Sequence, residues 1–130
     1  MKLPLLRCVK TLVFTVVFCM AASENFATTY YVNAATGNDA NNGTSAATAL
    51  LTVQKGLDKA SSPGDIILVS AGTYKQNLVW KFSGTAAAKI TLQKNGSGTV
   101  YLKSADASAS PVLQITNFSN IIVDGFTITR

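Results

Sequence analysis

The sequence predicts an all-β chain that opens a parallel β-helix, a solenoid of short stacked strands. Three observations predict it. First, β-prone apolar runs recur at an almost constant interval: Ile66-Ile67-Leu68-Val69, Ile90-Thr91-Leu92 and Val112-Leu113-Gln114-Ile115. With Ile66, Ile90 and Leu113 as equivalents, the two steps are nearly equal, at roughly two dozen positions each. Second, further short runs lie between or after these, at Leu78-Val79-Trp80, Thr99-Val100-Tyr101-Leu102, Ile121-Ile122-Val123 and Phe126-Thr127-Ile128, set apart by Gly, Asn, Asp and Ser turns. Third, only one segment after the N-terminus has helical spacing. Strand-bearing repeats of this length without a helix in each repeat define a solenoid. Leucine-rich repeats are set aside because their alternating leucine signature is absent. A small β-sandwich is the alternative fold.

In chain order, the first element is a targeting segment. Lys2, Arg7 and Lys10 precede an apolar run from Thr11 to Ala22, and small residues follow at Ala21, Ala22 and Ser23. That pattern predicts a secretory signal over residues 1–23 and an extracellular or periplasmic destination. Its apolar core is short for a membrane span, so an uncleaved anchor is the lesser alternative. A lipoprotein reading through Cys19 is weaker still, because bulky Phe18 stands where a small residue is wanted.

Removing the signal changes the chemistry available. The full chain carries 11 Lys plus Arg against 6 Asp plus Glu. Lys2, Arg7 and Lys10 leave with the signal and no acid does, so the mature chain falls from +5 to +2. It has no basic stripe interleaved with aromatics, and nucleic acid is not an expected partner. Both cysteines, Cys8 and Cys19, leave as well, and there is no histidine. Disulfides, thiolate metal sites, His-ligated metals and His-based triads are thereby excluded from the mature chain.

Residues 24–64 are expected to form an N-terminal strand, a loop and a capping helix. Thr29-Tyr30-Tyr31-Val32 is the strand. The loop from Ala35 to Thr44 is dense in turn formers. Asp39, Asn41 and Gly43 echo a calcium loop, but its twelfth position is Leu50 where a bidentate acid is required. An Asx-rich structural turn is the preferred reading. Thr52 is placed as an N-cap, with Val53, Leu57 and Ala60 on one helical face and a stop at Ser61-Ser62-Pro63-Gly64. Gly56 weakens that helix by about 1 kcal/mol relative to alanine. Gln54, Lys55 and Lys59 are assigned to its solvated face. Such a helix would cover the first strand edge, which a solenoid must protect.

Residues 65–130 then supply the first two to three coils. Pro63-Gly64-Asp65 turns the chain into Ile66–Val69, and Gly72 is expected to stop that strand. Asn95 and Asn117 are separated by nearly one repeat and are placed as a stacked asparagine ladder. Asn42, Asn95 and Asn117 each begin a sequon.

Several of these motifs occur together in one order: Tyr30-Tyr31-Val32-Asn33, Gly37-Asn38-Asp39 to Gly43-Thr44, Leu51-Thr52-Val53-Gln54-Lys55-Gly56-Leu57, Pro63-Gly64-Asp65 and Ala71-Gly72-Thr73-Tyr74. With Ser83-Gly84-Thr85-Ala86, Lys89-Ile90-Thr91-Leu92 and Ile121-Ile122-Val123-Asp124-Gly125-Phe126-Thr127-Ile128, they span almost the whole mature chain. The set resembles the N-terminal region of secreted right-handed parallel β-helix proteins of the pectate-lyase-like superfamily, closest to polysaccharide lyase families 6 and 9. The resemblance implies β-elimination on an acidic, uronate-containing polysaccharide held along the outside of the coils. It implies a basic residue as proton acceptor, and calcium or another cation at the developing negative charge. The catalytic base and calcium carboxylates of such enzymes lie on later coils, so no catalytic, cofactor-binding or metal residue is transferred to this chain. The expectation is a truncated solenoid, inactive alone, whose missing partner is the set of downstream coils. A noncatalytic module for glycan binding or adhesion is the alternative function.

The residues themselves mark no site. Lys75, Lys81, Lys89, Lys94, Lys103 and Arg130 are the available bases, with Tyr74 and Tyr101 as weaker ones, and each of the cations reads first as a surface group. Asp65, Asp106 and Asp124 are not spaced to stack, and Asp65 and Asp124 adjoin glycines as turn residues do. Core or coil-edge packing is preferred over sugar stacking for Trp80, Tyr74 and Tyr101.

Overall fold

A computed structural model describes residues 26–107 and 110–130; the signal read at residues 1–23 lies outside them. Strands are β1 (Thr29–Val32), β2 (Ile66–Lys75), β3 (Leu78–Val79), β4 (Ile90–Lys103), β5 (Leu113–Gln114), β6 (Ile121–Asp124) and β7 (Phe126–Thr129). One α-helix, α1 (Val53–Lys59), and a 3-10 turn at Ala46–Thr48 lie between β1 and β2. The main sheet runs β1-β2-β4-β6, with β7 also on β4, and a second sheet pairs β3 with β5. Every pairing between these strands is parallel. The chain is therefore the start of an all-β parallel solenoid with a short N-terminal helix. A sandwich of antiparallel hairpins is ruled out.

The register corrects the repeat read from the sequence. Ile66 pairs with Thr91 and Thr91 with Ile122, so the coils are unequal and the second is the longer. Leu113 is not the third equivalent. It pairs with Leu78 in the second sheet, and Ile121 stacks on Ile90. The coils of β2 and β4 each contribute one strand to the second sheet as well as their share of the main one, so counting successive apolar runs mixes the two.

Gly72 does not stop β2 either. The strand continues to Lys75 through a register shift between Ser70 and Gly72. Gly72 sits at φ 154°, in a region that disfavours a side chain, and this lets the chain bend without ending. On β4 the same bend is wider. Asn95 pairs with Ser70 and Val100 with Gly72, which leaves Gly96 to Thr99 bulged out opposite Ala71. The two arms of the main sheet meet at this bend.

Alternation fills the interior. Ile67, Val69 and Tyr74 of β2 and Ile90, Leu92, Val100 and Leu102 of β4 are buried together with Leu78, Trp80 and Val112. Tyr74 completes this core with its hydroxyl satisfied, donating to the Ser70 carbonyl at 2.9 Å and accepting from the Ala34 amide at 3.1 Å. Burial, only partly offset by the Ala34 amide, raises its pKa above 10.0.

The first end of the solenoid is closed by α1 and the loop before it. Thr52 caps the helix by accepting from the Lys55 amide, and Val53, Leu57 and Ala60 are buried as the spacing predicts. Gly56 has a reason to be there. A Cβ would lie 2.8 Å from Ile67 Cγ2 and 3.2 Å from Val32 Cγ2, so its absence lets the helix sit directly on the first two strands. The outer edge of β1 is met by backbone: Tyr31 donates to Gly43, Asn33 to Leu50, and Leu50 back to Tyr31, at 2.7 to 2.8 Å. Asp65, 2% exposed, accepts from the Thr28 and Ser62 amides and ties the β2 turn to β1.

Candidate functional site

The second arm of the main sheet carries the most distinctive outward face. Its inward residues are Tyr74, Leu102 and Ile128 in register, so the neighbours on either side of each point out. One outward row is Thr73, Tyr101 and Thr127; the next begins with Lys75 and Lys103. Lys75 and Lys103 are direct register partners on adjacent strands, about 4.8 Å apart at the backbone. Tyr101 is 40% exposed, and the Lys103 ammonium stands 5.9 Å from its ring centroid. Like charges opposite one another in a sheet repel, which an anion between them would relieve. The strip therefore offers two cations, an aromatic face and the Thr73 and Thr127 hydroxyls to an elongated anionic ligand.

The other residues singled out from the sequence fall elsewhere. Lys81 is paired with Asp58 at 2.6 Å, and Lys89 and Lys94 are exposed away from the strip. Arg130 borders an open hollow of about 570 Å³ at the last coil, with Leu113, Ile115 and Ile128. None of these cations is buried, so none has the desolvated setting that turns a lysine into a base. Tyr74 and Trp80 belong to the core, as preferred from the sequence. Tyr101 does not; it faces solvent.

Asp39 accepts from the Leu51 and Thr52 amides and the Thr52 hydroxyl, at 2.8 to 3.0 Å. Asn33, Asn38 and Asn42 likewise accept local amides, so the loop is the Asx-rich turn preferred above. Asp65 is held by two amides in the turn, and Asp124 ends β6 on its outer side. Among the described residues, no three of His, Cys, Asp and Glu converge to hold a metal, so the calcium that the resemblance implies has no fitting donor set here.

The asparagine ladder is not formed. Asn95 opposes Ser70 at the bend, whereas Asn117 lies outside the strands in a left-handed turn at φ 63°. Their spacing matches a repeat that the true register does not have.

Gln54 is more than the solvated side chain its helical position predicts. Its amide accepts from the Val79 N–H at 2.8 Å and donates to the Val79 carbonyl at 3.1 Å, so it takes the place of a neighbouring strand along β3. A mid-helix glutamine carries no local mark of that role; only the docked helix brings it to β3.

The sequence matches no protein-family model and no curated protein. Solved structures do match the fold. The GH136 lacto-N-biosidase from Eubacterium ramulus aligns over 78% of this chain and 20% of its own length, with TM-score 0.67 and 18% identity. Its selenomethionine form gives a TM-score of 0.68 over the same shares. The complex of XylC with xylose aligns over 58% of this chain and 11% of that one, with TM-score 0.53 and 28% identity. The chain thus spans about a fifth or less of the proteins it resembles. What the likeness establishes is the parallel β fold.

Proposed function

We propose that this chain is the opening section of a secreted, carbohydrate-active β-helix protein, and that its own part is to hold an acidic polysaccharide. The observation that carries the reading is the in-register Lys75–Lys103 pair beside exposed Tyr101 on the outward face. A uronate-containing chain supplies carboxylates for the two ammonium groups and sugar faces for the ring. The structural neighbours support a sugar partner: one is named as a lacto-N-biosidase and another is a complex with xylose. β-Elimination, implied by the sequence resemblance, belongs in this reading to coils outside the chain. The strip has cations but neither a desolvated base nor a carboxylate cluster.

The test is affinity electrophoresis or calorimetry with polygalacturonate, alginate and a neutral polysaccharide. Acidic polymers should bind, and binding should fall as salt rises, because exposed ion pairs are screened. Replacing Lys75 and Lys103 together by alanine should weaken it about tenfold, two exposed charge contacts being worth roughly 1–2 kcal/mol. Equal affinity for the neutral polymer, or an unaffected double variant, would refute the assignment.

A further inference from the structure

The chain holds two Asn-Gly dipeptides in its described residues, Asn42-Gly43 and Asn95-Gly96, and the fold treats them oppositely. At Asn42 the attacking amide and the side-chain carbonyl are both tied. The Asn42 Oδ1 accepts from the Thr44 amide at 3.1 Å and the Thr48 hydroxyl at 2.7 Å. The Gly43 amide donates to the Thr48 carbonyl at 2.9 Å, and Gly43 is buried. At Asn95 the surroundings are open. Gly96 to Thr99 have no register partner on β2, β6 or β7, and Asn95 through Thr99 are exposed. Gly96 sits at φ 81° with nothing within 4 Å of where a Cβ would be.

We infer that Asn95 is a site of spontaneous covalent modification, deamidation through a cyclic imide, while Asn42 is protected by the fold. The Gly96 amide nitrogen attacks the Asn95 Cγ and forms a C–N bond. The bond from Cγ to the side-chain nitrogen breaks, and ammonia leaves with the proton that the Gly96 nitrogen gives up. Water then opens the imide at either carbonyl, giving aspartate or isoaspartate. Glycine after asparagine favours the attack because it brings no Cβ to hinder it and leaves the backbone free to turn. The product adds a negative charge beside Lys94 at the bend and destroys the Asn95-Gly96-Ser97 sequon. Isoaspartate also lengthens the backbone by one carbon, which a bulge can absorb and a paired strand cannot.

Peptide mapping by mass spectrometry after incubating the native chain at mildly alkaline pH reads both sites at once. Asn95 should convert at least about tenfold faster than Asn42, since each hydrogen bond that must break at Asn42 slows the reaction by roughly that factor. In urea, where neither site is held, the two rates should converge. Incubation in oxygen-18 water should place the heavy label on the new carboxylate. Equal native rates, a faster Asn42, or an Asn95 that reacts only in urea would each overturn the inference.

Discussion

The two ends of the solenoid are built from different materials. At the first end the edges of β1 and β3 each meet a specific partner. The loop backbone pairs with β1, Gln54 pairs with β3, and α1 lies across the core on Val53, Leu57 and a glycine. At the other end β6 and β7 pair only with β4. There Ile115 and Ile128 are 43% and 51% exposed, and the Thr129 hydroxyl is buried without a partner. The coils themselves need only alternation and turn residues. Closing an edge takes named polar side chains at fixed places, so point changes should hurt the closed end far more than the open one.

The largest expected effect is at Asp39, which joins the loop to the start of α1. Asp39→Ala strips the partner from the Leu51 and Thr52 amides and from the Thr52 hydroxyl that caps the helix. Bonds to a charged acceptor contribute about 1.5–3 kcal/mol each, so the loss should be about 3 kcal/mol after partial replacement by water. Urea denaturation measures it. A midpoint unchanged from the parent would mean that the loop is not what closes this end.

Gln54→Ala comes next. It exposes the Val79 backbone groups and removes one of the two partners of Asp58 while leaving helix propensity intact or better. The expected cost is about 1–2 kcal/mol, together with faster hydrogen exchange at the Val79 amide. Exchange unchanged at Val79 would show that the glutamine is incidental.

The open end should respond in the opposite way. Ile128→Lys places a charge where the parent has a half-exposed apolar side chain, and should alter monomer stability by no more than about 0.5 kcal/mol. It should reduce self-association, since charges on an edge discourage strand pairing. Sedimentation of parent and variant decides this. A loss of stability comparable with Asp39→Ala would abolish the distinction between the ends.

The same division governs what the sequence reveals. The Thr52 cap, the buried face of α1 and the Asx-rich loop are legible because each is written within a few consecutive residues, and the fold class is legible because short β-prone runs between turn residues recur along the chain. The coil register is not. Ile90, Leu113 and Ile121 are equally apolar, and only the three-dimensional stack assigns Leu113 to a different sheet from the other two. The outward strip is hidden for the same reason. Lys75 and Lys103 are distant in sequence, and become neighbours only through a register in which β4 bulges by several residues opposite Ala71. Gly56 reads locally as a weakness, and its value appears only when Ile67 and Val32 are seen against it.

The smallest effect separates the two regions by pH. At the closed end, burial on its own would raise the Asp58 pKa, but the hydrogen bonds from Lys81 and Gln54, with the nearby charges of Lys81 and Lys55, outweigh it and hold the pKa below 3.8. A carboxylate with a folded pKa below its unfolded value stabilises the fold above that unfolded value, and the contribution disappears as pH falls through the folded one. Tyr74 in the coil interior works in the other direction. Burial raises its pKa above 10.0, so its contribution is whole below 10.0 and is lost as pH rises through the folded value. Acid should therefore loosen the attachment of α1 first, and alkali should loosen the core. Asp58→Asn keeps a hydrogen-bond acceptor for Gln54 but no charge for Lys81, and should flatten the acid limb of a stability–pH profile while leaving the alkaline limb alone. Tyr74→Phe should do the reverse, at the added cost of the Ala34 and Ser70 hydrogen bonds. If Asp58→Asn moves both limbs equally, the ion pair is not a local fastening of the cap, and the two ends are less independent than their construction implies.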